Sequence, residues 1–80
     1  MRVTVRLFAR LRDIAGTSEL VRDVREGTAR QIWEDLVSEF PPLGAYTTSI
    51  SVAINTDYAR MDGRVKDGDE VAFLPPVSGG

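Results

Sequence analysis

Residues 2–9, RVTVRLFA, alternate along the chain: Val3, Val5 and Leu7 fall on one face, and Thr4, Arg6 and Phe8 on the other. That two-residue period predicts a half-buried strand. Residues 10–15 predict a short helical turn closed by Gly16, since glycine readily takes the left-handed conformation that ends helices. Thr17 to Val24 predicts a second strand of imperfect alternation, joined to the first as an antiparallel hairpin with a long loop. Thr28-Ala-Arg-Gln31 has the form of a capping box, with a hydroxyl at N-cap and a carboxamide at N3. Ile32, Trp33, Leu36, Val37 and Phe40 then recur at helical spacing as one apolar stripe, with Arg30 and Glu34 off it as an i,i+4 pair. Pro41-Pro42 stops the helix, and residues 41–49 read as a loop. Ile50, Val52 and Ile54 alternate with Ser51 and Ala53 as a third strand. Asn55-Thr56-Asp57 turns the chain into a weakly patterned segment, Tyr58 to Met61. Two Asp-Gly turn signals follow. Glu70 to Leu74 is the last strand, with Val71 and Phe73 on one face and Ala72 and Leu74 on the other.

The order is strand, strand, helix, strand, short strand, strand, with one amphipathic helix to cover one sheet face. This predicts an α+β domain of β-grasp type, with a mixed sheet of four to five strands wrapped around the main helix. The first and last strands are expected side by side and parallel at the centre. Residues 1–74 make the domain and residues 75–80 an extended, flexible C-terminal tail.

Composition narrows the chemistry. The chain has 80 residues, 42% apolar and 28% charged, as an ordinary soluble domain does. No apolar run approaches a membrane span or a secretory leader, so a soluble intracellular protein is expected and no membrane partner. There is no cysteine and no histidine. That removes thiolate metal sites and the side chain best suited to proton transfer near neutral pH. The DGDE run, Asp67 to Glu70, lacks the spacing of an EF-hand loop and reads as a turn with a solvated acidic rim. No bound metal or cofactor is expected. A net charge of −2 argues against a nucleic-acid partner. Arg2, Arg6, Arg10 and Arg12 read as a solvated face.

Two features remain for function. If Val3, Val5, Leu7, Val71 and Phe73 face the helix, then Phe8 and Leu74 point to the uncovered side of the sheet, as neighbours. Clustered large apolar residues on an uncovered face mark a partner surface. The second feature is the ending FLPPVSGG. Pro75 and Pro76 hold the chain extended, and Val77 and Ser78 lengthen it. Gly79 and Gly80, lacking Cβ atoms, fit a narrow channel. Six residues beyond Leu74 reach at most about 20 Å, enough to carry a carboxylate into another protein's active site. A bare carboxylate is a poor electrophile and needs activation, most simply as an acyl-adenylate made from ATP by a separate enzyme. The chain has no P-loop and no activated nucleophile of its own, so it reads as a carried group and not an enzyme. Lys66 is the single lysine against nine arginines. Such scarcity would limit self-acylation by an activated end, but a general preference for arginine explains it more readily.

The stretches VRLFARLRDIAG, Val5 to Gly16, and DGDEVAFLPPVSGG, Asp67 to Gly80, resemble the small subunit of molybdopterin synthase, a ubiquitin-like sulfur-carrier family related to the thiamine sulfur carrier. The resemblance implies a ubiquitin-like fold and a cytoplasmic role in molybdenum cofactor biosynthesis. It implies that Gly80, with Gly79 before it, is adenylated by an E1-like adenylyltransferase and converted to a thiocarboxylate by a sulfur donor protein. The tail then enters the large subunit, in a heterotetramer, and passes sulfur to cyclic pyranopterin monophosphate. By position the resemblance adds Tyr58 to Phe8 and Leu74 as the docking surface. A carrier for thiamine or tRNA thiolation, a protein modifier, and a plain interaction module stay open as other readings.

Overall fold

The computed structural model of the chain describes residues 1–25 and 27–76. Strand β1 (Arg2–Leu7) leads into helix α1 (Ala9–Ala15), which ends on Gly16 at φ 78° with its N–H bonded back to the Arg12 carbonyl. Strands β2 (Glu19–Asp23) and β3 (Gly27–Thr28) precede helix α2 (Ala29–Glu39). The capping box is complete: Thr28 Oγ1 accepts from the Gln31 N–H, and the Gln31 carboxamide accepts from the Thr28 N–H. Strands β4 (Ser51–Ile54), β5 (Asp57–Ala59), β6 (Arg64–Val65) and β7 (Glu70–Leu74) complete the order. The main sheet runs β2-β1-β7-β4-β5, with β1 and β7 parallel and every other pairing antiparallel. This is the expected β-grasp, with five strands in the main sheet.

The core forms where the apolar face of this sheet meets α2. Val3, Val5, Leu7, Val71 and Phe73 are buried against Ile32, Trp33 and Leu36, whereas Val37 and Phe40 pack at the margin. The Trp33 and Phe73 rings lie 5.0 Å apart at 50°, the tilted contact that aromatic quadrupoles favour. The indole N–H donates to Thr47 Oγ1 at 3.0 Å, so its polar edge is satisfied.

Four details differ from the sequence reading. The segment after Pro41-Pro42 is not an open loop: Pro41–Tyr46 forms a 3-10 helix that drives Leu43 into the core at 0% exposure. A two-stranded sheet pairs β3 with β6, too short to leave a period in the sequence. Its flanking loop serves α2, whose free Ala29 and Arg30 N–H groups donate to the carbonyls of Gly63 and Met61, partners that a helix start requires. Arg30 and Glu34 are not among the ion pairs formed by the described residues.

The fourth difference is Asp69, read as part of a solvated rim. It is buried, and it accepts hydrogen bonds from Asn55 Nδ2 and the Lys66 N–H, each at 2.8 Å. Asn55 returns the contact by accepting from the Glu70 N–H at 2.9 Å. Asp69 thus ties the β4–β5 turn to the turn before β7. The Thr4 N–H bonds to the Asp69 carbonyl and the Gly68 N–H to the Arg2 carbonyl, which fixes the start of β1 on the same knot. The hydrogen bonds from Asn55 and the Lys66 backbone, aided by the Lys66 charge, outweigh burial and hold the Asp69 carboxyl below its usual value of 3.8. A carboxylate depressed in this way stabilises the fold above its unfolded pKa, and the contribution disappears as pH falls through the folded value. Asp69→Ala is expected to cost about 1–3 kcal/mol in urea unfolding at pH 7. The gap from the parent should narrow as pH drops below about 4. A pH-independent gap would show that the charge is not what stabilises.

Candidate functional site

Cross-strand registers build the face that α2 leaves uncovered. Tyr58 pairs with Ala53, Ala53 with Ala72, Ala72 with Arg6, and Arg6 with Glu19. These residues therefore form one row across all five strands of the main sheet. In the next row Ser51 pairs with Leu74. The parallel register Leu7 to Phe73, carried one residue forward, sets Phe8 beside Leu74. Phe8 keeps extended backbone angles (φ −124°, ψ 153°), so strand parity persists to the residue that matters. Ala9 then turns the chain at φ 51°, a left-handed conformation costing an alanine about 1–2 kcal/mol, and α1 leaves the sheet.

The result is an apolar patch with a low centre. Ala53 and Ala72 occupy the middle, Tyr58 stands at one side, and Phe8, Leu74 and Arg6 stand at the other. Tyr58 is 79% exposed and Phe8 37%. Val21, 53% exposed, lies farther out on the same face, opposite Thr4 in β2. The Arg6 guanidinium lies over the Phe8 ring, 5.6 Å from its centroid, and its Nη1 stands 3.9 Å from Glu70 Oε1.

Sequence parity had already set Phe8 and Leu74 on this side. For Tyr58 the strand was too weakly patterned to assign a face, and pairing with Ala53 now places it there. Sequence reasoning missed Arg6 as a member of the patch. Alternation put it on the right side, but only the register shows that it sits between Ala72 and Glu19.

Pro75, half-buried, and Pro76, exposed, continue directly from β7 beside the patch. Val77, Ser78, Gly79 and Gly80 lie outside the described residues. A groove of about 390 Å³ opens elsewhere, lined by Asp23, Val24, Arg25, Gln31, Ile32, Glu34 and Asp35. Because Asp23 pairs with Arg2 at the start of β1, this groove lies at the end of the sheet away from Leu74. Lys66 is likewise in the turn that precedes β7. No group of three or more metal-ligating side chains occurs among the described residues, and no helix there is long and apolar enough to cross a membrane.

Tyr58 reaches out with little support from its own domain. Tyr58→Ser is therefore expected to change unfolding stability by less than about 0.5 kcal/mol in urea melts. A loss above about 2 kcal/mol would mean that the ring packs on the domain and is not held out from it.

Comparison with known proteins agrees with this architecture. The chain is 34% identical to the molybdopterin synthase sulfur carrier subunit of Arabidopsis thaliana, over 98% of this chain and 82% of that one. It is 32% identical to the subunit of the same name in Chlamydomonas reinhardtii, over the full length of both. Among solved structures, SAMP1 from Haloferax volcanii superposes with a TM-score of 0.87 at 30% identity, covering 100% of both chains. The small archaeal modifier protein 1 (SAMP1) of Methanosarcina acetivorans gives 0.81 at 33% identity, over 99% of this chain and 96% of that one. The BexX/CysO complex of Amycolatopsis orientalis contains a chain that matches at 0.74 and 27%, over 98% of this chain and 99% of that one. The model of the ThiS family matches residues 5–80, and the chain belongs to that family.

Proposed function

We propose that this protein is the sulfur carrier of molybdopterin synthase and works by presenting its own C-terminus as the reacting group. The observation that carries the reading is spatial. The parallel β1–β7 pair sets Phe8 beside Leu74, the two alanines continue the surface to Tyr58, and the tail begins at that patch. Docking on the patch aims everything after Pro76 into the partner. The names of the relatives support the pathway, since each is called a subunit and a sulfur carrier.

In this reading the Gly80 carboxylate attacks the α-phosphorus of ATP on an E1-like adenylyltransferase, releasing pyrophosphate. The acyl-adenylate is then opened by a sulfur nucleophile from a donor protein. AMP leaves, and cleavage of the donor's sulfur bond with reducing equivalents from a thiol yields the thiocarboxylate. Gly79 and Gly80 pass a channel that side chains would block, while Pro75, Pro76, Val77 and Ser78 span the distance as an extended tail separate from the domain of residues 1–74. Inside the large subunit the sulfur passes to cyclic pyranopterin monophosphate, whose dithiolene binds molybdenum. The catalytic groups belong to that subunit, and ATP is bound by the activating enzyme. We place the assembly, two small and two large subunits, in the cytoplasm, where thiols are kept reduced.

A second reading has its own support. Two structural neighbours are named SAMP1, one of them spelled out as a small archaeal modifier protein, and a modifier would use the same activated end to acylate lysines of other proteins. Incubation with ATP, activating enzyme and sulfur donor is expected to give the oxygen-to-sulfur mass increase at Gly80 and, with large subunit and precursor, molybdopterin. Deleting Gly79 and Gly80 should abolish both while binding to the large subunit persists. Conjugate ladders that depend on Gly80, with no thiocarboxylate formed, would replace the carrier reading with the modifier reading.

A further inference from the structure

Arg6 stands at the side of the docking patch beside Phe8, and its hydrogen-bonding is incomplete. Its Nε is shielded from water and has no acceptor among the described residues. Its Nη1 stands 3.9 Å from Glu70 Oε1, beyond hydrogen-bond distance. The remaining contact is the Phe8 ring face at 5.6 Å, which accepts positive charge but takes no directed hydrogen bond. The side chain is still 44% exposed, so water can solvate the rest of the guanidinium in the free protein. Covering the face removes that water. A guanidinium carries five N–H donors and cannot shed its proton. Burying it without acceptors would oppose the docking that Phe8, Leu74 and Tyr58 favour.

Resting on the docking face proposed above, we infer that the mating surface of the large subunit carries a carboxylate that meets Arg6. With Nε covered, the part of the half-exposed guanidinium left for a partner is its Nη groups, whose N–H donors fit the oxygens of a carboxylate. A patch otherwise built from Tyr58, Ala53, Ala72, Phe8 and Leu74 is apolar and tolerant of sliding. A single charge pair within it would fix the angle at which the tail is fed in. It would also select against partners that present an apolar or basic group at that point. Arg6 is thus a specificity and positioning residue, and touches none of the reacting atoms.

Glu70 is the internal competitor, because a small movement would let it take the place of the partner's carboxylate. The test therefore uses Arg6→Leu, Arg6→Leu combined with Glu70→Gln, and Phe8→Asp. Each is titrated against the large subunit encoded in the same genome, with circular dichroism to confirm folding. Arg6→Leu should weaken binding at least about tenfold, because the partner's carboxylate is left buried and unpaired. Adding Glu70→Gln should not restore it. The Arg6→Leu complex should also transfer less sulfur per bound carrier, which a loss of affinity alone would not produce at saturation. Binding of Arg6→Leu within about threefold of the parent would overturn the inference, as would full restoration by Glu70→Gln, which would make Glu70 the true partner. If Phe8→Asp weakens binding and Arg6→Leu does not, only the role of Arg6 falls. If neither variant weakens it, the docking face itself is misplaced.

Discussion

Parallel pairing of β1 with β7 is the constraint on which the rest of the molecule depends. It brings the first strand and the last one together at the centre of the sheet, so the chain beyond β7 leaves the fold from the middle strand of that sheet. A one-residue slip in this register would exchange the two faces. Phe73 would leave the core, and Phe8 and Leu74 would no longer share a surface. The register is held from both ends. On the helix side Val5, Leu7, Val71 and Phe73 are fully packed under Trp33. At the opposite end from Leu74, the hydrogen bonds of Asp69, Asn55 and the Asp67-Gly68 turn tie the starts of β1 and β7 and the end of β4 to one knot.

The two ends of β7 therefore differ in chemistry. Structural polar groups gather where β7 begins, and the exposed apolar patch gathers where it ends. Among the described residues the two sites share no side chain. Glu70 comes nearest to linking them, through its backbone to Asn55 and its carboxylate toward Arg6. The groove beside Asp23 and Asp35 lies on neither line.

Much of this was legible in the chain before any coordinates. Alternation in β1 and β7 set the two faces, the Thr28–Gln31 box set the start of α2, and the period of Ile32, Trp33 and Leu36 set its buried side. What escaped has a common cause: it depends on pairs distant in sequence. Asp69 looked like a solvated carboxylate because its partner Asn55 lies 14 residues away. The β3–β6 ribbon is two residues wide, below the length at which a period exists. Leu43 follows two prolines that end the α-helix, yet those prolines suit the first turn of a 3-10 helix that buries it. Tyr58 and Arg6 needed the register across strands to be seen as parts of one patch.

The account stands on the claim that a partner covers the sheet face opposite α2. Amide NMR of the labelled chain, titrated with the large subunit, tests this directly. The account predicts shifts or broadening concentrated at Phe8, Ala53, Tyr58, Ala72 and Leu74, with the outward face of α2 at Glu34 and Asp35 unchanged. Perturbations confined to Asp23–Arg25, Glu34 and Asp35, with the open sheet face silent, would contradict it.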